Sequence, residues 1–196
     1  MAFNKIGGGL NVEPLKKAVS ENPNLWGQIP FRLYDDSPHR ESSDIWIKCQ
    51  DIKKGLETGN FSYFADDVPI IWYPASQELP EVFDLIGAVS VLVESIEIGV
   101  VLITHLPPGG KIYKHKDDGF HAENYDKYFV PINNKDGAKF CFDSGDIEPQ
   151  EGDVWAFDNN VDHWVENNSD EERIALIVCI RQNKYDRRGI LCRQDS

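Results

Sequence analysis

Basic residues are scarce in this chain: twenty Lys and Arg stand against thirty-three Asp and Glu, leaving a net charge of −13 over 196 residues. That field repels a duplex gripped through its phosphates, so no nucleic-acid partner is expected. A local basic patch is confined to the tail from Lys184 to Arg193. Long apolar runs are missing too. The best, Leu85–Val93 and Gly99–Ile103, are separated by Glu94 and Glu97 and fall well short of the ~18 residues that a membrane span needs. Met1–Leu10 is glycine-rich with one lysine and has no apolar signal-peptide core. Cysteine is sparse: Cys49, Cys141, Cys179 and Cys192 form no C-x-x-C, which excludes a zinc ribbon or a redox pair. Together these absences point to an intracellular, cytoplasmic protein with reduced thiols and no membrane partner.

What is present is a globular composition, 41% apolar and 27% charged, with no repeat and no low-complexity stretch. The length suits one domain. Its expected organisation is a helix and strand flank over residues 1–97, a core over 98–183 and a basic tail over 184–196. In the flank, Pro14–Glu21 has the spacing of a short amphipathic helix, ended by Asn22-Pro23. Trp26–Tyr34 and Ile45–Cys49 are aromatic and β-branched, as in strands. Pro80–Ile96 carries Val82, Phe83, Ile86, Val89, Val93 and Ile96 at helical spacing.

Beyond Gly99 the texture changes to short β-branched and aromatic runs. These are Val100–His105, Lys111–His115, Lys127–Ile132, Ala138–Phe142, Asp153–Phe157, His163–Glu166 and Arg173–Arg181. Clusters of Gly, Pro, Asn and Asp separate them, Ser144-Gly145-Asp146 among these breaks. Evenly spaced short strands with turn signals predict a mostly β fold, a jelly-roll barrel with flanking helices.

His115-Lys116-Asp117 ends one of these strands. Residues i and i+2 of a strand share a face, so an imidazole and a carboxylate can converge. His163, on another strand, is the candidate third group for a metal, giving two histidines and a carboxylate with open positions opposite. H-x-D alone is a weak signal in an acidic chain. Arg173 strengthens it, ten residues after His163 at the start of the next strand, where a guanidinium could fork onto a carboxylate. Blander readings stay open at this level. His115 and Asp117 could form a surface turn, His163 could be a buried structural histidine, and Arg173 could pair with Glu171 or Glu172 at the surface.

The stretch Thr104–Ile180 resembles the aspartyl/asparaginyl β-hydroxylase family of Fe(II)/2-oxoglutarate-dependent oxygenases. Its matching segments are His105-Leu106-Pro107-Pro108-Gly109-Gly110-Lys111-Ile112 with His115-Lys116-Asp117, and Tyr128-Phe129-Val130-Pro131-Ile132. The most specific is the run Gly152-Asp153-Val154-Trp155-Ala156-Phe157-Asp158-Asn159, followed by His163-Trp164-Val165-Glu166-Asn167. Ser169 through Arg173-Ile174 follows, and Pro38-His39-Arg40 through Asp44-Ile45-Trp46 is a fainter match.

The resemblance implies a double-stranded β-helix with Fe(II) on His115, Asp117 and His163, and with 2-oxoglutarate as co-substrate held by Arg173. It implies further that Lys127 keeps a basic position at the co-substrate or substrate, that Phe129 stands where relatives often have His, and that Thr104 could offer the co-substrate a hydroxyl. The expected outcome is hydroxylation of an Asp- or Asn-like residue in a peptide or protein, or of a small amino-acid-type substrate. The rivals are a cupin-type metalloenzyme that uses His115, His163 and another ligand such as His121, without 2-oxoglutarate, and a cupin-like binding module without turnover. His39 and Arg40 read either as a solvated loop or as a substrate contact.

Overall fold

A computed structural model describes residues 2–51, 54, 57 and 70–182; Phe120 and His121 are described by their backbone alone. The expected role of His121 and the basic tail therefore lie outside the described residues. Eleven strands and four α-helices follow one another among the residues described. They are β1 (Phe3–Gly7), α1 (Glu13–Glu21), β2 (Ser43–Cys49), β3 (Ile71–Trp72), α2 (Ala75–Glu78), α3 (Val82–Leu92) and β4 (Ser95–Leu106). Next come β5 (Lys111–His115), α4 (Gly119–Asn124), β6 (Asp126–Asn133), β7 (Ala138–Phe142) and β8 (Gly145–Ile147). The last three are β9 (Val154–Phe157), β10 (His163–Asn167) and β11 (Arg173–Gln182).

These strands form two antiparallel sheets. The large one runs β1-β9-β6-β11-β4-β2-β3 and the small one β5-β10-β7-β8. The jelly-roll class is as expected, built as two facing sheets rather than one closed barrel. Leu106, Phe129 and Phe157 of the large sheet meet Ile112, Phe140, Phe142 and Val165 of the small one in a single buried cluster. On the outer face of the large sheet, Val101, Ile103, Leu176, Val178 and Ile180 pack against Leu15 and Val19 of α1 and Val82, Ile86 and Val89 of α3. No helix among the described residues is long and apolar enough to cross a membrane.

Register decides which side chains point inward, because a strand alternates faces with every residue. Arg173 pairs with Leu106, Ala175 with Thr104 and Ile177 with Leu102. Asp44 lies opposite Thr104, Phe129 opposite Ile177 and Lys127 opposite Cys179. The inner face therefore carries Asp44, Thr104, Lys127 and Arg173 among apolar neighbours. Tight turns hold this face in place. Gly109 takes a positive φ of +73°, which a residue without Cβ adopts freely, and its N–H donates to Asn167 O at 2.8 Å. Asn167, fully buried, donates Nδ2 to the carbonyls of Leu106, Pro107 and Glu171 at 3.1, 3.0 and 2.8 Å. One amide thus ties the β4–β5 turn to the β10–β11 turn.

Three local expectations change. Trp26–Tyr34 is not a strand: Gly27 has φ +66°, and turns close from Leu33 N to Pro30 O and from Ser37 N to Tyr34 O. The residues Gly145 and Asp146, expected as a break, begin β8 and pair with Phe142 and Cys141 of β7. The helix expected over Pro80–Ile96 is confined to Val82–Leu92, with Ile96 already in β4; the glycine-rich start, given no element above, supplies β1, which pairs with β9 from Phe3↔Phe157 onward. Replacing Asn167 with Ala is expected to lower the unfolding free energy by about 2–4 kcal/mol, since one buried and two half-buried carbonyls lose their donor at once. Urea denaturation checks this, and an unchanged midpoint would mean that water takes over all three contacts.

Candidate functional site

β10 lies between β5 and β7, and His163 falls directly opposite His115. The register shifts between His163 and Val165, a bulge of the kind that re-aims side chains beside functional sites. The two imidazole centroids are 4.4 Å apart. Asp117 follows two residues after His115, and its N–H is fixed to Asn159 O at 3.0 Å. Its two carboxylate oxygens each lie 3.8 Å from one histidine Nε2, Oδ1 from His115 and Oδ2 from His163. Ligand atoms of all three residues fall within 4.8 Å of one another. The bland readings of His115 and Asp117 as a surface turn and of His163 as packing alone do not describe this convergence.

Each histidine is oriented by its own chain. His115 Nδ1 lies 2.7 Å from Tyr113 O, and His163 Nδ1 lies 2.9 Å from Val161 O. A carbonyl only accepts, so Nδ1 carries the proton and Nε2 is left with its lone pair toward the other ligands, the tautomer that metal-binding histidines use. Burial pushes both imidazoles below their ordinary value, although Asp117 and the carbonyl contacts pull upward. For Asp117, burial raises the carboxyl, but Lys127, then His163 and His115, hold it below the usual carboxylate range. Lys127 Nζ donates to Asp117 Oδ2 at 2.5 Å. Two neutral nitrogens and one ionised carboxylate are the donor set that a divalent iron takes.

Arg173 is buried, and its Nε meets no acceptor among the described residues. Burial pulls its guanidinium down to about 10. The carboxylates that could have paired with it at the surface are engaged elsewhere: Glu172 lies 3.1 Å from His105 and Glu171 3.8 Å from Lys135. An arginine facing an interior without a carboxylate is suited to an anion brought by a ligand. His105, pressed against Trp26 at 5.3 Å, is thereby part of the outer surface rather than of this site.

Thr104 is engaged within the protein: its hydroxyl donates to Asp44 Oδ1 at 2.9 Å and accepts from Arg32 Nη2 at 2.9 Å. The Arg32–Asp44 pair itself was not legible as a site feature. Arg32 Nε and Nη2 donate to the two Asp44 oxygens at 2.6 and 2.7 Å. Burial would lower the Arg32 guanidinium, yet Asp44 keeps it above its ordinary value. The available signal was Asp44, an aspartate on the same face of a strand as Trp46, where Asp is disfavoured unless paired. His39 also belongs here. Its ring is 4.8 Å from that of His115, edge to face, and burial, then Arg32, depresses it well below the ordinary histidine value. A cavity of about 510 Å³ opens alongside, lined by Lys127, Tyr128, Phe157, Asn159 and Arg181.

A jelly roll with two histidines and a carboxylate on one face is the architecture of Fe(II)- and 2-oxoglutarate-dependent oxygenases, and similar folds are found among them. An oxidoreductase of the 2OG-Fe(II) oxygenase family from Burkholderia pseudomallei superposes with TM-score 0.53 at 12% identity, over 78% of this chain and 71% of that one. The 2-oxoglutarate complex of a viral collagen prolyl hydroxylase from Paramecium Bursaria Chlorella virus-1 gives 0.51 at 13% identity, over 93% and 97%. At these identities the likeness concerns the fold. No curated protein matches the chain. The family model for Aspartyl/Asparaginyl beta-hydroxylase matches residues 25–183, and the chain belongs to that family. It is an Fe(II)- and 2-oxoglutarate-dependent hydroxylase.

Between pH 7 and 5 the metal-free protein is expected to lose thermal stability. The unfolded chain protonates His39, His115 and His163 near their ordinary 6.5, whereas the folded chain resists, so it binds fewer protons across that window. Asp117, held low when folded, adds a further loss that begins near its ordinary 3.8 and continues below it. Calorimetry in chelator at pH 7, 6 and 5 checks the sign. His163→Asn should flatten the slope, and melting temperatures that rise on acidification would mean that the folded chain binds the protons instead.

Proposed function

We propose that His115, Asp117 and His163 hold the iron, that Arg173 holds the distal carboxylate of 2-oxoglutarate, and that the substrate is an Asp- or Asn-like residue of a peptide or a small amino-acid-type molecule. The observation that carries the co-substrate assignment is Arg173, a buried guanidinium whose Nε lacks a partner among the described residues. A planar fork of N–H donors matches a carboxylate better than a lysine would. When bound, Fe(II) supplies the oxygen chemistry that couples decarboxylation of 2-oxoglutarate to hydroxylation of a substrate C–H bond.

The protein's contribution is orientation and exclusion of water. The carbonyls of Tyr113 and Val161 hold both imidazole rings with Nε2 free, so no rearrangement is needed for ligation. Lys127 keeps Asp117 ionised across the working pH range. Phe140, Phe142 and Phe157 line the back of His163 at ring distances of 5.8, 6.2 and 5.4 Å, which keeps one side of the site dry. The family supports a carboxylate- or amide-bearing substrate, and the cavity beside Lys127 and Asn159 has room for such a group.

Anaerobic titration of the Fe(II)-loaded protein with 2-oxoglutarate, followed by the weak charge-transfer absorption in the visible, tests the assignment. His115→Ala and His163→Ala are expected to lose the band. Arg173→Gln should keep its iron and bind 2-oxoglutarate about 100-fold more weakly, as expected for loss of a buried charge pair. Unaltered affinity in Arg173→Gln would remove the co-substrate role from that residue. Among candidate substrates, Asp- and Asn-containing peptides and the free amino acids should gain one oxygen atom by mass spectrometry, whereas the corresponding Gly-containing peptides should not.

A further inference from the structure

The loop that carries His39 is fastened to the strand that carries His115. Pro38 O accepts from Tyr113 N at 2.8 Å, the Arg40 guanidinium stacks 3.4 Å from the centre of the Tyr113 ring, and Glu41 accepts from Lys111 N at 2.8 Å and from the Tyr113 hydroxyl. His39 is thereby held against His115 by contacts on both sides of it in sequence. Its protonation pattern follows from its other neighbour. Arg32 Nη1 lies 3.3 Å from His39 Nε2, and a guanidinium can only donate. Nε2 must therefore accept, and the single proton of the neutral ring sits on Nδ1. Among the described residues that Nδ1 is buried and meets no acceptor. An N–H buried without a partner costs about 1–3 kcal/mol, a cost relieved when a ligand supplies the missing oxygen.

We propose that His39 Nδ1–H is a substrate-orienting donor that hydrogen-bonds a carbonyl or carboxylate oxygen of the substrate next to the metal face, and that Arg32, fixed by Asp44, is the positioning residue that sets its tautomer. This inference rests on the metal and co-substrate reading above. The oxygen belongs to the substrate rather than to 2-oxoglutarate because His39 comes from the loop preceding β2 and reaches the site beside His115. The guanidinium assigned to 2-oxoglutarate comes instead from β11, in the sheet that faces the β5 strand carrying His115. The arrangement selects substrates that carry an oxygen acceptor close to the carbon that is hydroxylated.

The test uses full-length protein with ¹⁵N-labelled histidine, loaded with Zn(II) as an inert metal, and read by long-range ¹H–¹⁵N correlation. The wild type should show a neutral His39 with its proton on Nδ1. 2-Oxoglutarate should leave that resonance in place, and N-acetyl-aspartate amide or N-acetyl-asparagine amide should then move it downfield. His39→Phe is expected to bind 2-oxoglutarate within about twofold of wild type and the two probes about tenfold more weakly. His39→Asn, which keeps an N–H donor where Nδ1 stands, should restore probe binding to within about threefold, and His39→Gln should not. A proton on Nε2, a resonance that moves with 2-oxoglutarate alone, or one that stays still while a probe binds would each overturn the proposal. A protein that takes up neither Zn(II) nor 2-oxoglutarate would defeat the site reading instead, separately from the tautomer of His39.

Discussion

Taking a charged side chain out of water costs several kcal/mol unless another charge or a well-placed ligand meets it, and the interior of this jelly roll imposes that condition repeatedly. Arg32 is met by Asp44 through two short contacts, and Lys127 by Asp117. Among the described residues Arg173 has no such counterpart at Nε. Two of these buried charges are thus met within the protein and one is left open at the position assigned above to an incoming carboxylate, which separates charges that hold the architecture together from a charge that serves the reaction.

The same logic extends to the histidines. Backbone carbonyls two residues upstream take the Nδ1 protons of His115 and His163, so orientation is built into the strand and the loop that carry them and does not depend on the metal. Burial then favours the uncharged rings. Asp117 stays ionised because a cation lies beside it. The two histidines are prepared by chain geometry and desolvation together and Asp117 by ion pairing, so a single substitution does not disturb all three.

Much of this arrangement was legible in the sequence because it depends on local pattern. The runs from Val100 to Arg181 match strands β4 to β7 and β9 to β11, with Asp153 alone falling outside its strand, since alternation and turn residues act over a few positions. His115, Asp117, His163 and Arg173 stood out through their order and spacing. What escaped was either short or distant. β8 is three residues in a stretch of turn formers, and β1 is held by pairing with a strand some 150 residues later. Arg32 sits in turns that resemble a strand in composition, and its role arises from a partner 72 residues away, Thr104, and another, Asp44, 12 away. No periodicity reports contacts of that kind.

The large sheet also bears on how divisible the chain is. Its central strands β4 and β11 carry Thr104 and Arg173, yet β4 has β2 as its other neighbour and β9 has β1. A fragment beginning at β4 would leave a twelve-residue strand with one row of backbone donors and acceptors open to solvent, and would strip the cover from β9 as well. Such edges recruit other chains. The half of the molecule from β4 onward is therefore aggregation-prone by itself, and the stretch before it acts as an edge guard as much as a wall of the site.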